Sequence, residues 1–166
     1  MSEVQSAPQD GKRAPRDWTD DQRTALGLWV ALARCYATYA KAVAAKVAEY
    51  DLTVPQFGTL EALYHLGPLS LGELADKLLV TGGNVTYVMD RLEGRGLVAR
   101  YRSEEDRRVV HADLTPAGRK LISEVFPGHA EHIAHLCRHL DGGEQEKLRE
   151  LLKTLGIGIA GHDLDH

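Results

Sequence analysis

Cysteine is scarce in this chain. Cys35 and Cys137 are the two among 166 residues, with no C-x-x-C spacing, which excludes a disulfide framework and leaves free thiols in helical sequence. No apolar run approaches the ~18 residues of a membrane span, and the N-terminus lacks the apolar segment of a signal peptide. No membrane partner is therefore expected, and the chain is placed in the cytoplasm. Catalytic signatures are missing too: there is no nucleophile elbow, phosphate loop or H-E-x-x-H. Glu124, Glu131 and the histidines form no recognised catalytic spacing. An enzyme is not expected, and no cofactor or metal is assigned.

What is present fits a single globular domain that can bury a core unaided. The formal net charge of −4 argues by itself against a nucleic-acid binder, but its distribution argues the other way. Residues 91–120 hold eight Lys/Arg against five Asp/Glu, a balance of +3, so the remainder sums to −7. Positive charge is concentrated in one stretch of an otherwise acidic body.

Residues 1–17 are polar, without periodicity, and expected to be disordered or loosely docked. The domain proper is read as 18–166. Thr19 and Gln22 have capping-box spacing, and from Trp29 to Val47 apolar positions recur at steps of three and four, which predicts a long amphipathic helix over about 18–50. Thr53-Val54-Pro55-Gln56 repeats the start signal for a second helix ending at Gly67-Pro68. Ser70 and Glu73 cap a short third helix. A tight connection at Val80-Thr81 leads into a fourth, which is the spacing of a helix-turn-helix.

In that fourth helix Val85, Val88, Met89 and Leu92 share one face, leaving Gly83, Asn84, Thr86, Tyr87 and Arg91 outward. Gly82 and Gly83 each weaken a helix by roughly 1 kcal/mol relative to Ala, a poor choice unless a backbone must approach something closely; unobstructed N-terminal amides suit a phosphate. Asn84 matches an adenine edge, and Thr86 offers a hydroxyl and a methyl. Gly94 and Gly96 stop the helix. Leu97–Arg102 and Val109–Leu114 alternate as two strands around a charged tip, Ser103–Arg108. Such a tip is ordinarily solvated surface, but directly after a helix-turn-helix an Arg there is placed to enter a minor groove. Thr115-Pro116 starts a further helix, with a bend expected at Pro127-Gly128, and Asp141–Glu144 starts the last, expected to fray after Gly156. The fold class is mainly α with a small β-hairpin wing. A winged helix-turn-helix over about 53–114 is flanked by N- and C-terminal dimerisation helices over about 18–50 and 116–160, whose apolar stripes have little else to cover them.

The motifs Leu52-Thr53-x-x-Gln56-Phe57, Leu71-x-x-Leu74-Ala75, the run from Gly82 to Val98, Glu105-Asp106-Arg107-Arg108 and Leu114-Thr115-Pro116-Ala117-Gly118-Arg119, in this order, resemble the MarR (multiple antibiotic resistance regulator) family of winged-helix transcription factors over roughly residues 25–156. The resemblance implies a homodimer that binds double-stranded DNA at a pseudo-palindromic operator, most often as a repressor. It places Thr81, Gly82, Gly83, Asn84, Thr86 and Tyr87 in the major groove and Arg108 in the minor groove. Asp106 is implied to orient neighbouring arginines, Arg102 and Arg107 to contact the backbone or support the wing, and Ser70 and Arg91 to join the DNA-binding set. It further implies release by a small aromatic or phenolic acid, for which Tyr36, Tyr39 and Tyr64 are the candidate pocket residues. Three positions depart from sensing branches of the family: Trp29 stands where the peroxide-sensing branch has its cysteine, Phe57 and Gly58 stand where a zinc-sensing branch has ligands, and Gly58 replaces the Asp of urate-responsive relatives.

His129, His132, His135 and His139 recur at steps of three, three and four in one predicted helix. That spacing suits a solvated helix face, a transition-metal site or a pH-sensitive interface. The alternative to DNA binding is a winged-helix module that docks on a protein; the concentration of arginine over 91–108 and the paired glycines weigh against it.

Overall fold

The computed structural model describes residues 18–78 and 82–162; the expectation of disorder for 1–17 and the connection at Val80-Thr81 lie outside the described residues. The chain divides after Thr38 into two compact units. The first contains the early turns of helix α1 (Asp20–Ala48). Its start is the predicted capping box: the Gln22 amide donates to Thr19 Oγ1 at 3.2 Å and the Thr19 amide to Gln22 Oε1 at 3.0 Å. Leu26, Leu28, Trp29, Val30 and Tyr36 of this unit are exposed.

The larger unit, Tyr39 onward, holds the remaining elements in the order α2 (Val54–Leu66), β1 (Leu69–Ser70), α3 (Leu71–Leu78), α4 (Gly82–Gly94), β2 (Val98–Arg102), β3 (Val110–Leu114), α5 (Pro116–Cys137) and α6 (Gly142–His162). Between α1 and α2 the chain turns through Asp51, which holds a left-handed φ of 56°. Thr53 then caps α2 in a full capping box with Gln56. Gly67, at φ 80°, takes the chain out of α2 in a conformation that side chains rarely adopt.

The sheet runs β1-β3-β2, all antiparallel, with Leu69 opposite Ala112 and Val98 opposite Leu114. β1 is an addition to the sequence reading. It is two residues long and exists because β3 offers it a free edge. Ser70 therefore ends a strand and caps a helix at once: its hydroxyl donates to Glu73 Oε2 at 2.8 Å, and the Glu73 amide donates back to Ser70 Oγ at 3.2 Å.

The core gathers Leu60 and Leu63 of α2, Leu74 of α3, Val85, Met89 and Leu92 of α4, Val98 and Ala112 of the sheet and Ile122 of α5 around Val47 at the end of α1. One glycine is fixed by close approach to backbone, and a second sits tightly against a side chain. A Cβ at Gly118 would lie 1.9 Å from the Leu97 carbonyl oxygen, and one at Gly58 would lie 3.0 Å from Leu78 Cδ2.

One expectation for the C-terminal helices changes, and it concerns α6. α5 carries Pro127 within it and stops at Cys137. Gln145 Nε2 donates to the carbonyls of Cys137 and Leu140 at 3.2 and 2.9 Å, satisfying acceptors at that end. α6 does not fray at Gly156 but continues to His162. Glycine costs helix stability yet keeps its amide and carbonyl, so it weakens the hydrogen-bond ladder without breaking it. Every residue of α6 from Gly142 to Gly161 is exposed. Among the described residues, no helix is long and apolar enough to cross a membrane.

Candidate nucleic-acid interface

Helix α4 is anchored by one face and open on the other. Val85, Val88, Met89 and Leu92 are buried, while Gly83, Asn84, Thr86, Tyr87, Asp90 and Arg91 are exposed. Among the described residues nothing requires glycine at 83, because a Cβ there would stand in open space. Tyr87 and Arg91, one turn apart, pair with the guanidinium 5.1 Å from the ring centroid. Thr81 lies outside the described residues, and Gly82 opens the helix. At the other end Gly96, at φ 69°, lets the Leu97 amide reach back to Leu92 O at 3.0 Å and the Gly96 amide to Glu93 O at 2.8 Å, a left-handed helix stop that frees the chain to enter β2.

The wing tip is organised by hydrogen bonds of its own. Ser103 Oγ accepts from the amides of Glu105 and Asp106 at 3.2 and 3.3 Å. Asp106 then grips Arg108: Oδ1 accepts the Arg108 amide at 2.9 Å and Nε at 3.1 Å, and Oδ2 accepts the NH2 nitrogen at 2.9 Å. Bidentate pairing of this kind fixes the plane of a guanidinium while leaving its outer edge open. The Arg108 side chain is 91% exposed. The same hydrogen bonds hold the Asp106 carboxyl below its ordinary range and push the Arg108 guanidinium up. Arg102 donates to the Arg107 carbonyl at 2.7 Å, so its side chain braces the tip, while Arg107 itself is exposed. Ser70 stands apart from this group, its hydroxyl engaged in the α3 cap.

A second arginine, which no local motif announces, ties the helix to the wing. Arg100 lies on the face of β2 shared with Val98, the face turned to the core. Its NH2 nitrogen lies 2.5 Å from Glu93 and 2.8 Å from Asp90, both on α4. Nε donates to Glu93 Oε2 at 3.0 Å and the Arg100 amide to Glu93 Oε1 at 3.2 Å. Arg100 therefore holds the Glu93 carboxyl down, and Glu93 holds the guanidinium up. Arg95, just past α4, donates to the Asp51 carbonyl at 2.7 Å and to its carboxylate at 3.3 Å.

The three tyrosines named for a pocket have separate surroundings. Tyr36 is exposed within the first unit. In the second, the Tyr39 hydroxyl lies 3.8 Å from Cys137 Sγ, and Tyr64 packs beside His65 and Phe126 at ring-centroid distances of 5.1 and 6.5 Å. A cleft of about 400 Å³ opens between α2 and α3, with Glu61, His65 and Lys77 on its walls and Gly58 among its lining residues.

The histidine stretch does not form one solvated face. His129 is buried, its ring 4.4 Å from that of Phe57, and burial pushes its pKa down. Among the described residues, His129 Nδ1 and His132 Nε2 are buried without a hydrogen-bond partner, as is the hydroxyl of Tyr50, whose ring stacks with that of Phe57 at 6.3 Å. His135 and His139 are exposed. Periodicity predicts which turns meet; it does not say that Phe57 comes from another helix to cover one of them. Among the described residues, no three His, Cys, Asp or Glu side chains are grouped to hold a metal ion.

Residues 52–110 match the family model described as MarR family. The chain is 36% identical over 132 residues to the HTH-type transcriptional regulator MhqR of Bacillus subtilis, an alignment covering 80% of this chain and 91% of the relative. Among solved structures, that of Bordetella bronchiseptica BpsR, whose DNA binding is regulated by 6-hydroxynicotinic acid, superimposes with a TM-score of 0.71 at 28% identity, covering 78% of this chain and 98% of that one. MepR of S. aureus, solved as a DNA complex, gives 0.69 at 26% identity over 78% of this chain and 97% of its own.

Proposed function

Since the chain belongs to the MarR family of DNA-binding transcriptional regulators, we propose that it works as a homodimer placing two copies of α4 in successive major grooves of a pseudo-palindromic operator. Half-sites one helical turn apart put the two helices roughly 34 Å from one another. The observation that carries this reading is the Asp106-Arg108 pair: a guanidinium held by two parallel hydrogen bonds at an exposed tip, on the same module as the outward face of α4. A protein-docking wing has no need to aim an arginine in this way, whereas a minor-groove probe does. Asn84, Thr86, Tyr87 and Arg91 face the bases and Gly82 and Gly83 let the backbone approach a phosphate, with Thr81 at the entry; Arg107 contacts backbone, and Arg102 and Ser70 brace the module. Repression requires only that the occupied site overlap a promoter.

Release by a small aromatic acid is the proposed control. BpsR responds to such a molecule, and the α2–α3 cleft has room for one, with Lys77 and His65 suited to a carboxylate. Tyr36, Tyr39 and Tyr64 are not among the residues that line this cleft.

The test is binding to a duplex enriched from a random-sequence library by the full-length protein. Arg108→Ala weakens binding to enriched and scrambled duplexes alike, by about ten-fold, and lowers the salt dependence by about one charge. Asn84→Ala instead erodes the preference for the enriched duplex, by about 1–3 kcal/mol. Indistinguishable affinities for both variants and the parent protein would sink the assignment of these residues.

A further inference from the structure

We propose that Arg100 is a positioning residue for DNA recognition, clamping the second half of α4 to the wing through Glu93 and Asp90. This rests on the DNA-binding reading above and concerns residues to which that reading gives no role. Recognition by helix and wing together demands a fixed angle between them, because α4 is to enter one groove while Arg108 enters another. Yet the direct chain path from α4 to the tip passes through a glycine at positive φ and then along β2, an edge strand paired only with β3. Arg100 closes that path: it stands two residues before Arg102, which braces the tip, and its side chain reaches both carboxylates of α4. A guanidinium is rigid and planar, so two acceptors on adjacent turns fix the orientation of helix against strand in a way that a single pair would not.

The charges point the same way. Asp90 lies one turn beyond Thr86 and Tyr87 on the exposed side of α4, where a bare carboxylate would meet phosphates. Paired with Arg100, it is neutralised by a cation that is itself only a quarter exposed. Arg100 thereby supports the reader while being directed away from solvent.

The experiment compares the enriched duplex with a scrambled one of equal length, using the full-length chain at a temperature where circular dichroism shows each variant folded. In the double variant Asp90→Ala, Glu93→Ala, two negative charges are removed beside the DNA. Simple electrostatics makes this variant bind both duplexes at least as tightly as the parent and leaves their ratio unchanged; the clamp predicts that the ratio of enriched to scrambled affinity falls about ten-fold. Arg100→Met is expected to lower the same ratio; added to Arg108→Ala, where the wing arginine is already gone, it leaves the salt dependence unchanged, because Arg100 is not a phosphate contact. Combined with Arg108→Ala, Arg100→Met shows losses of affinity for the enriched duplex that do not add, since the wing is no longer held where Arg108 counts. A parent-like ratio in the double variant, a further loss of about one charge of salt dependence when Arg100→Met is added to Arg108→Ala, or strictly additive losses of affinity would each overturn the proposal. Should the parent protein enrich no sequence at all, the DNA-binding reading fails and this one with it. Enrichment by the parent with no effect of the clamp variants refutes Arg100 alone.

Discussion

His129 is a base folded into a place that does not suit its charge. Phe57 covers one face of the ring and Nδ1 has no partner. Burial is the main reason its pKa lies below 6.5; Glu61 opposes the shift, and the nearby positive groups, His132 and Lys46, add to it. The sign of the consequence follows from linkage. Above about pH 6.5 the side chain is neutral whether folded or not, and its burial is fully tolerated. As the pH falls below that value the unfolded chain takes up a proton that the folded chain resists, so stability declines until the folded pKa is passed. Urea unfolding between pH 7.5 and pH 5, chosen as the test range, should show midpoints dropping toward acid. His129→Phe should flatten that drop. A slope equal in variant and parent would remove the assignment to His129. None of this is legible in the sequence, where the four histidines look alike; what separates them is the ring of Phe57, seventy-two positions away.

At the scale of elements, the local signals were the readable ones. Thr53 with Gln56, Thr115 before Pro116 and Asp141 with Glu144 each announce a helix start within four residues, and each forms the hydrogen bonds expected of it. β1 could not be read, because two residues carry no periodicity and pair with β3 some forty positions on. The Arg100 bridge escaped for a similar reason: Glu93 and Arg100 are seven apart across a turn whose path only the left-handed Gly96 determines. In the candidate interface, the outward residues of α4 followed from periodicity, whereas the brace from Arg102 to the Arg107 carbonyl required the shape of the tip. The joint between β2 and α5 is the tightest of these contacts. Thr115 donates its amide to Leu97 O at 3.1 Å and its hydroxyl to Gly96 O at 2.6 Å, and Gly118 slides in against the same Leu97 carbonyl. Gly118→Ala should destabilise by about 2 kcal/mol through overpacking against backbone that cannot move aside, read as a lower urea midpoint. Gly83→Ala provides the contrast, with no steric penalty and a midpoint at or above the parent's.

For the whole molecule, the observation that matters is uncovered apolar surface. Leu148, Leu151, Leu152, Leu155, Ile157 and Ile159 are exposed along α6, and Leu26, Leu28, Trp29 and Val30 along early α1. Exposed apolar stretches of this kind, each taken by itself, mark association sites, and a second copy of the chain is the partner that the family reading supplies. Sedimentation should therefore give twice the chain mass. Leu151→Glu with Leu155→Glu should return the monomer and weaken DNA binding sharply, because each half-site then binds without its neighbour. A variant that stays dimeric would move the interface off α6.

The anchored and open faces of α4 separate two jobs that a sequence must do. Val85, Val88, Met89 and Leu92 hold the helix in the core, whereas Gly83 and Asn84 touch nothing that the fold depends on for burial. On the proposed reading, the target can drift without endangering the scaffold. A population of such regulators can explore new operators by changes at the open positions while their stability stays level, and a duplicated copy can acquire its own set of genes before its core has changed at all.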